Sequence, residues 1–174
     1  MSSMLGKSVL ITGGGSGIGR GVARHFAMQG ARVTISGRRE KKLAATSNEM
    51  NGEIAYVVGD VTREDDRKSM IQNSVKYGGR LDALISNAGN MYRSDVADLD
   101  EDELLSIFHS NVIAGMMLVK EAYDHLKRSQ GCIIFVGSVH TQRAFPNASP
   151  YAATKGALET LTGGLAAELG TDNI

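Results

Sequence analysis

The sequence predicts an α/β fold, a doubly wound parallel sheet with helices on both faces, and three observations carry that expectation. Short β-branched runs alternate with longer helical patterns along the whole chain. The strand runs are near-continuously apolar, as strands covered on both faces are. Glycines or polar residues stand directly after the strands, where ligands of such sheets bind. A length of 174 residues with 42% hydrophobic side chains suits a single domain over residues 1–174, built on one core.

Taken in order, "KSVLITGG" is a buried strand running into glycines, and "GIGRGVARHFAMQGA" follows with Ile18, Val22 and Phe26 at helical spacing, ending at Gly30. "RVTISG" is the second strand and "REKKLAATSNEM" a charged helix. "IAYVVGD" is the third strand, and "TREDDRKSMIQNSVKYGG" a helix with Thr62 as its cap and Gly78 as its end. In "LDALISNAG", Asp82 reads as a strand-start residue. One long helix is expected over "DEDELLSIFHSNVIAGMMLVKEAYDHLKRS", with Met116, Met117 and Leu118 in the core or at a helix interface. The strand "CIIFVGS" comes next, then a loop holding the two prolines, Pro146 and Pro150, and a last helix from about Tyr151 to Leu169.

Charge narrows the partners. Lys plus Arg equals Asp plus Glu at 19 each, so no bulk positive field exists to hold nucleic acid or an anionic membrane surface, and a small-molecule partner is expected. The one cysteine, Cys132, lies inside "CIIFV" and reads as a small buried hydrophobe, with no internal disulfide framework. The start "MSSMLGKSVLITGG" enters a strand without a signal-peptide pattern, and no run approaches membrane-spanning length. The expectation is a soluble, cytoplasmic protein.

After the first strand stands "TGGGSGIG", with G-x-x-x-G-x-G at Gly13, Gly17 and Gly19. Such glycines let the backbone approach a phosphate, and a helix beginning near Ser16 aims free N–H groups and a positive dipole end at the same point. A flexible loop is the plainer alternative. A P-loop is excluded, because "GKS" at Gly6 to Ser8 precedes the strand. After the second strand stands "SGRRE", where a dinucleotide would present its ribose; Arg38 and Arg39 suit a 2′-phosphate and favour NADP(H), with NAD(H) as the alternative. A solvated helix start beside Glu40 is the plainer reading of that pair.

"SPYAATKGAL" sets Tyr151 and Lys155 four positions apart, on one side of a helix. Tyrosine is a poor acid/base at its unperturbed pKa of about 10, and a neighbouring cation favours phenolate. A lone pair of this kind is more often two solvated side chains, so what surrounds it decides. The surroundings resemble the short-chain dehydrogenase/reductase family over the whole chain: "TGGGSGIG", "GDV" at Gly59 to Val61, "NAG" at Asn87 to Gly89, Asn111, Ser138, and "YAATK".

The resemblance implies a Rossmann-type sheet in strand order 3-2-1-4-5 and an NAD(P)-dependent oxidoreductase acting on a carbonyl or secondary alcohol. It also implies that Gly13, Ser16, Gly17, Ile18 and Gly19 hold the cofactor with Arg38 and Arg39, and that Asp60 and Val61 border the adenine. By the same resemblance Asn87, Ala88 and Gly89 line the cofactor, Tyr151 and Lys155 touch it, and Asn111, Ser138, Tyr151 and Lys155 form the catalytic set. Asn111 would help hold a water leading from Lys155 to solvent. A homo-oligomer, dimer or tetramer, would pair the long helix and the helix after Tyr151 with their copies. Against the family pattern "AAELGTDNI" stops before a sixth strand, so the chain is expected to be C-terminally truncated and to turn over poorly alone. A nucleotide-binding module without turnover is the alternative function. His140, two residues after Ser138, is expected to line the substrate pocket; no G-x-S-x-G elbow surrounds the serine, and His25, His109 and His125 show no metal-ligand spacing.

Overall fold

The computed structural model describes residues 4–50 and 52–174, so the reading of the chain start over residues 1–3 lies outside the described residues. Five strands form one sheet: β1 (Ser8–Thr12), β2 (Arg32–Gly37), β3 (Ile54–Val58), β4 (Ala83–Ser86) and β5 (Cys132–Phe135). Their order is β3-β2-β1-β4-β5, and every neighbouring pair is parallel. The strand order therefore reverses at β1, whose Val9 pairs with Val33 on one side and Ala83 on the other.

Alternation along β1 builds two cores. Val9 and Ile11 point to one face, where Ala23 and Ala27 of α1 (Gly17–Met28) and Leu43 of α2 (Glu40–Asn48) cover them. Leu10 points to the other, against Met70 and Ile71 of α3 (Glu64–Gly78) and Leu118, Ala122 and Leu126 of α5 (Ala114–Ser129). Each fully buried aliphatic side chain contributes roughly 1.5–3 kcal/mol by leaving water. Small residues on the inner face of α1 let that helix lie close to the sheet and bring its N-terminus to the end of β1.

The element ends depart from expectation in physically informative ways. Arg63, not Thr62, stands at the N-cap of α3. Thr62 is instead committed to Asp60, donating to its Oδ1 from the backbone N–H at 3.0 Å and the hydroxyl at 2.8 Å. Helix α3 includes Gly78 and ends on Gly79, whose φ of 78° supplies the left-handed turn. The last helix, α6 (Ser149–Leu169), starts two residues before Tyr151, with Pro150 in its first turn, where a missing N–H costs nothing.

The expected long helix is three pieces in continuous helical backbone. α4 (Glu101–Phe108) is capped by Asp100, which accepts from the Glu103 N–H at 2.9 Å. A π-turn over His109–Ile113 follows, then α5.

Cys132 corrects the sequence reading: it is exposed. Among the described residues β5 pairs only with β4, so its residues alternate exposed and half-buried, and Ile134 keeps 44% of its surface in water. Asp82 is more than a strand start. It is 6% exposed, accepts the Ser8 N–H at 3.0 Å, and pairs with Lys7 at 3.0 Å and Arg80 at 2.8 Å, tying β1 to β4. Burial alone would raise its carboxyl, but the Ser8 N–H, Lys7 and Arg80 outweigh that and hold it below the ordinary carboxylate value. No helix among the described residues is long and apolar enough to cross a membrane.

Candidate active site

The site begins where β1 and β4 end side by side. Thr12 Oγ1 accepts the N–H groups of Asn87 at 3.1 Å and Ala88 at 3.0 Å, while Asn87 Nδ2 donates to the Thr12 carbonyl at 2.8 Å. These bonds stitch the two strand ends at the point where the sheet order reverses. The chain then turns at Gly13 with φ 70° and enters α1 after Ser16, its N-cap. No side chain fits here: a Cβ on Gly19 would lie 2.5 Å from both Asn87 Nδ2 and the Gly13 oxygen. Gly14, which sequence reasoning passed over, is required too, since its Cβ would meet the Ile35 Cβ at 2.5 Å. Ile18 is 65% exposed at the start of α1, so it adds nothing to the core there.

A groove of about 620 Å³ opens above this turn, bordered by Gly13, Ser16, Asp60, Val61, Asn87 and Gly89. Arg38 and Arg39 line it together with Lys42, a third cation that the sequence reading missed although it lies one turn after Arg39. Arg38 reaches Asp60 at 3.7 Å and Arg39 donates to Ser16 Oγ at 3.0 Å, so both are drawn across the groove mouth. Burial works to raise the Asp60 carboxyl, but hydrogen bonds from Thr62 and the charges of Arg38 and Arg63 hold it below the ordinary value.

Beyond the groove, α6 carries Tyr151 and Lys155. Lys155 is 6% exposed, donates to the Val136 carbonyl at 2.7 Å, and holds its Nζ 5.7 Å from the centre of the Tyr151 ring. Burial pulls the Lys155 ammonium below its ordinary pKa. Ser138 follows β5 and caps the short 3₁₀ turn Val139–Thr141. His140 joins the two halves. Its Nδ1 is 3.0 Å from Ser138 Oγ, and its ring stands edge-on to Tyr151 at 5.0 Å between centres.

Asn111 is neither a surface residue nor in regular helix: it is 3% exposed and sits in the π-turn. Its Oδ1 accepts from the Asn90 N–H at 2.7 Å and Ser110 Oγ at 3.2 Å. Its Nδ2 donates to the Asn90 carbonyl at 2.9 Å and Thr154 Oγ1 at 3.1 Å. The Ser110 hydroxyl has a single proton and lies equally close, at 3.2 Å, to the Ile107 carbonyl, so the bonds to Asn90 and Thr154 are the ones that fix the Asn111 amide. Thr154 in turn donates to the Tyr151 carbonyl at 2.7 Å. Asn111 thus ties the loop after β4 to the turn of α6 that carries Tyr151. Gly89 makes room for it, since a Cβ there would sit 2.9 Å from Asn111 Oδ1. Asn90 and Thr154 were not foreseen; their only signal was adjacency to "NAG" and a place inside "YAATK".

Residues 7–174 match the family model described as short chain dehydrogenase. The chain belongs to the short-chain dehydrogenase family. It is 34% identical to L-fucose dehydrogenase of Bos taurus, over 92% of this chain and 60% of that protein. Against glucose 1-dehydrogenase of Gluconobacter oxydans the identity is 35%, over 97% of this chain and 66% of the relative. The chain therefore spans somewhat less than two thirds of these curated short-chain dehydrogenase relatives. A crystal structure of 3-ketoacyl-(acyl-carrier-protein) reductase from Brucella melitensis, complexed with NADH, superposes with a TM-score of 0.95 at 30% identity, covering 99% of this chain and 73% of that one. The strand order expected from short-chain dehydrogenase resemblance is the order observed.

Proposed function

We propose that the protein is an NADP(H)-dependent oxidoreductase that interconverts a carbonyl and a secondary alcohol by hydride transfer, with Tyr151 as the acid/base. The observation that carries the proposal is the gathering of Ser138, Tyr151 and Lys155 beyond the carboxyl ends of β4 and β5, beside a glycine-walled groove. The groove suits a dinucleotide, because Gly13, Gly15 and Ser16 border it at the α1 N-terminus, where backbone N–H groups and the helix dipole favour a diphosphate. Asp60 and Val61 would border the adenine, and Asn87, Ala88 and Gly89 the path toward the nicotinamide. When bound, the cofactor supplies or accepts the hydride.

The chain's own residues do the rest. Ser138 donates a hydrogen bond to the substrate oxygen, and Tyr151 gives it or takes from it a proton. The Lys155 cation, held by the Val136 carbonyl and the Tyr151 face, stabilises negative charge developing on the tyrosine oxygen. Asn111 acts by positioning α6, through its bond to Thr154 next to Tyr151.

Cofactor preference follows from the cations. Arg38→Ala together with Arg39→Ala is expected to weaken NADPH binding roughly 10- to 100-fold while changing NADH binding little, because each guanidinium loses a charge-assisted bond to the 2′-phosphate. Calorimetric titration of both cofactors checks this; equal NADPH and NADH affinities for the unaltered protein would count against it.

Self-association is the second expectation. Leu105, Ile113 and Met116 remain 63%, 47% and 46% exposed on α4, the π-turn and α5. Val119 is not part of that surface, being 5% exposed within the core, so the informative change is Ile113→Glu with Met116→Glu. Light scattering is expected to give a dimer or tetramer for the unaltered protein and a monomer for the variant; the same mass for both would refute it. A cytoplasmic location fits a nicotinamide enzyme of this kind and belongs to the same proposal. Binding without turnover is the second reading, supported by a groove whose bordering residues include none of Ser138, Tyr151 and Lys155.

A further inference from the structure

His140 lies outside the residues that border the groove and yet touches both proposed reacting side chains. Its Nδ1 lies 3.0 Å from Ser138 Oγ, its backbone N–H donates to the same oxygen at 3.3 Å, and its ring lies against Phe145, tilted by 33° with centres 4.3 Å apart, and edge-on to Tyr151 at 5.0 Å. Aromatic contacts on two sides fix the ring's orientation. Its Nε2 is buried and has no hydrogen-bond partner among the described residues.

A neutral imidazole carries one proton, and the two tautomers have opposite consequences for Ser138. With the proton on Nε2, a buried N–H is left unpaired, and Nδ1 takes the serine hydroxyl proton away from the substrate side. With the proton on Nδ1, the only N–H is spent on Ser138 Oγ, and the unpaired group is a ring lone pair. Orphaned buried N–H groups are rarer in proteins than under-used acceptors. We infer that His140 is a positioning residue, held as the Nδ1–H tautomer so that Ser138 accepts from it and keeps its own hydroxyl proton for the oxygen of a carbonyl substrate. The inference rests on the reading of Ser138 as the donor to substrate.

The test is carried out on the cofactor-free protein with ¹⁵N-labelled histidine, using long-range ¹H–¹⁵N correlation spectra. His140→Phe, which keeps an aromatic ring against Phe145 and Tyr151, assigns the His140 signals by their loss. The expected spectrum shows a protonated Nδ1 and an unprotonated Nε2, and Ser138→Ala shifts the ring toward the Nε2–H form. A protonated Nε2 in the unaltered protein, or an unchanged His140 pattern in Ser138→Ala, overturns the inference. Should Ser138→Ala not fold, Ser138→Thr, which retains the hydroxyl, is expected to keep the Nδ1–H pattern, and loss of that pattern overturns the inference. Turnover is measured separately with NADPH and 2,3-butanedione. There His140→Phe is expected to lower kcat about tenfold in the Ser138 protein and to have no further effect in the Ser138→Ala background; equal losses in both backgrounds refute action through Ser138. If Ser138→Ala alone leaves kcat unchanged, the reading of Ser138 as donor fails, whatever the tautomer.

Discussion

Tyr151→Phe is expected to lower carbonyl reduction by roughly 10²–10⁴-fold, the range over which positioned proton transfer contributes, while leaving NADPH affinity within about threefold. The substitution deletes one oxygen and keeps the ring against which His140 and Lys155 pack. Helix α6 also keeps its anchor, because Thr154 bonds the backbone carbonyl of residue 151 and not the phenol. Lys155→Met behaves differently. Lys155 is buried and holds the Val136 carbonyl at the end of β5, so its loss is expected to reduce both turnover and cofactor affinity. Steady-state kinetics with cofactor titrations separate the two. Near-normal turnover in Tyr151→Phe would remove the proposed acid/base.

Gly19→Ala is expected to weaken dinucleotide binding about 100-fold and to cost roughly 1–3 kcal/mol of stability through overpacking. The new Cβ would lie 2.5 Å from a backbone oxygen, that of Gly13, and 2.5 Å from Asn87 Nδ2. Neither neighbour yields cheaply, since Asn87 Nδ2 is held by the Thr12 carbonyl at 2.8 Å. The strand ends or the start of α1 must therefore move, and the groove with them. Gly21→Ala is the control on the same helix: its Cβ meets nothing within 4 Å, and alanine favours helix over glycine by about 1 kcal/mol. Thermal melts and NADPH titration of both variants check the contrast. Equal effects at positions 19 and 21 would contradict the close-packed turn.

What was legible in the sequence lay in patterns that are local in the chain. Apolar strands, the glycines after β1, the arginines after β2 and the Tyr151–Lys155 spacing each depend on near neighbours, and each stands at the expected end of its element. Residues whose role is set by distant partners were not legible. Asp82 binds Ser8 and Lys7 across the sheet, and Gly14 is required by Ile35 of the neighbouring strand. The sequence shows Asn111 inside a helical stretch, but not as the bridge from Asn90 to Thr154, because that bridge joins three elements. Cys132 reads as core from its apolar neighbours, yet exposure follows from the sheet position of β5, which the residues "CIIF" do not encode.

The central claim is hydride transfer to a carbonyl, with the proton supplied at Tyr151. It is tested most directly by following label from NADPH deuterated at the transferring carbon into 2,3-butanedione, by mass spectrometry, in the unaltered protein and in Tyr151→Phe. The account predicts one deuterium on the carbinol carbon with the unaltered protein and almost none with Tyr151→Phe at equal cofactor occupancy. NADPH binding with no label transfer, or equal transfer by both proteins, would contradict it.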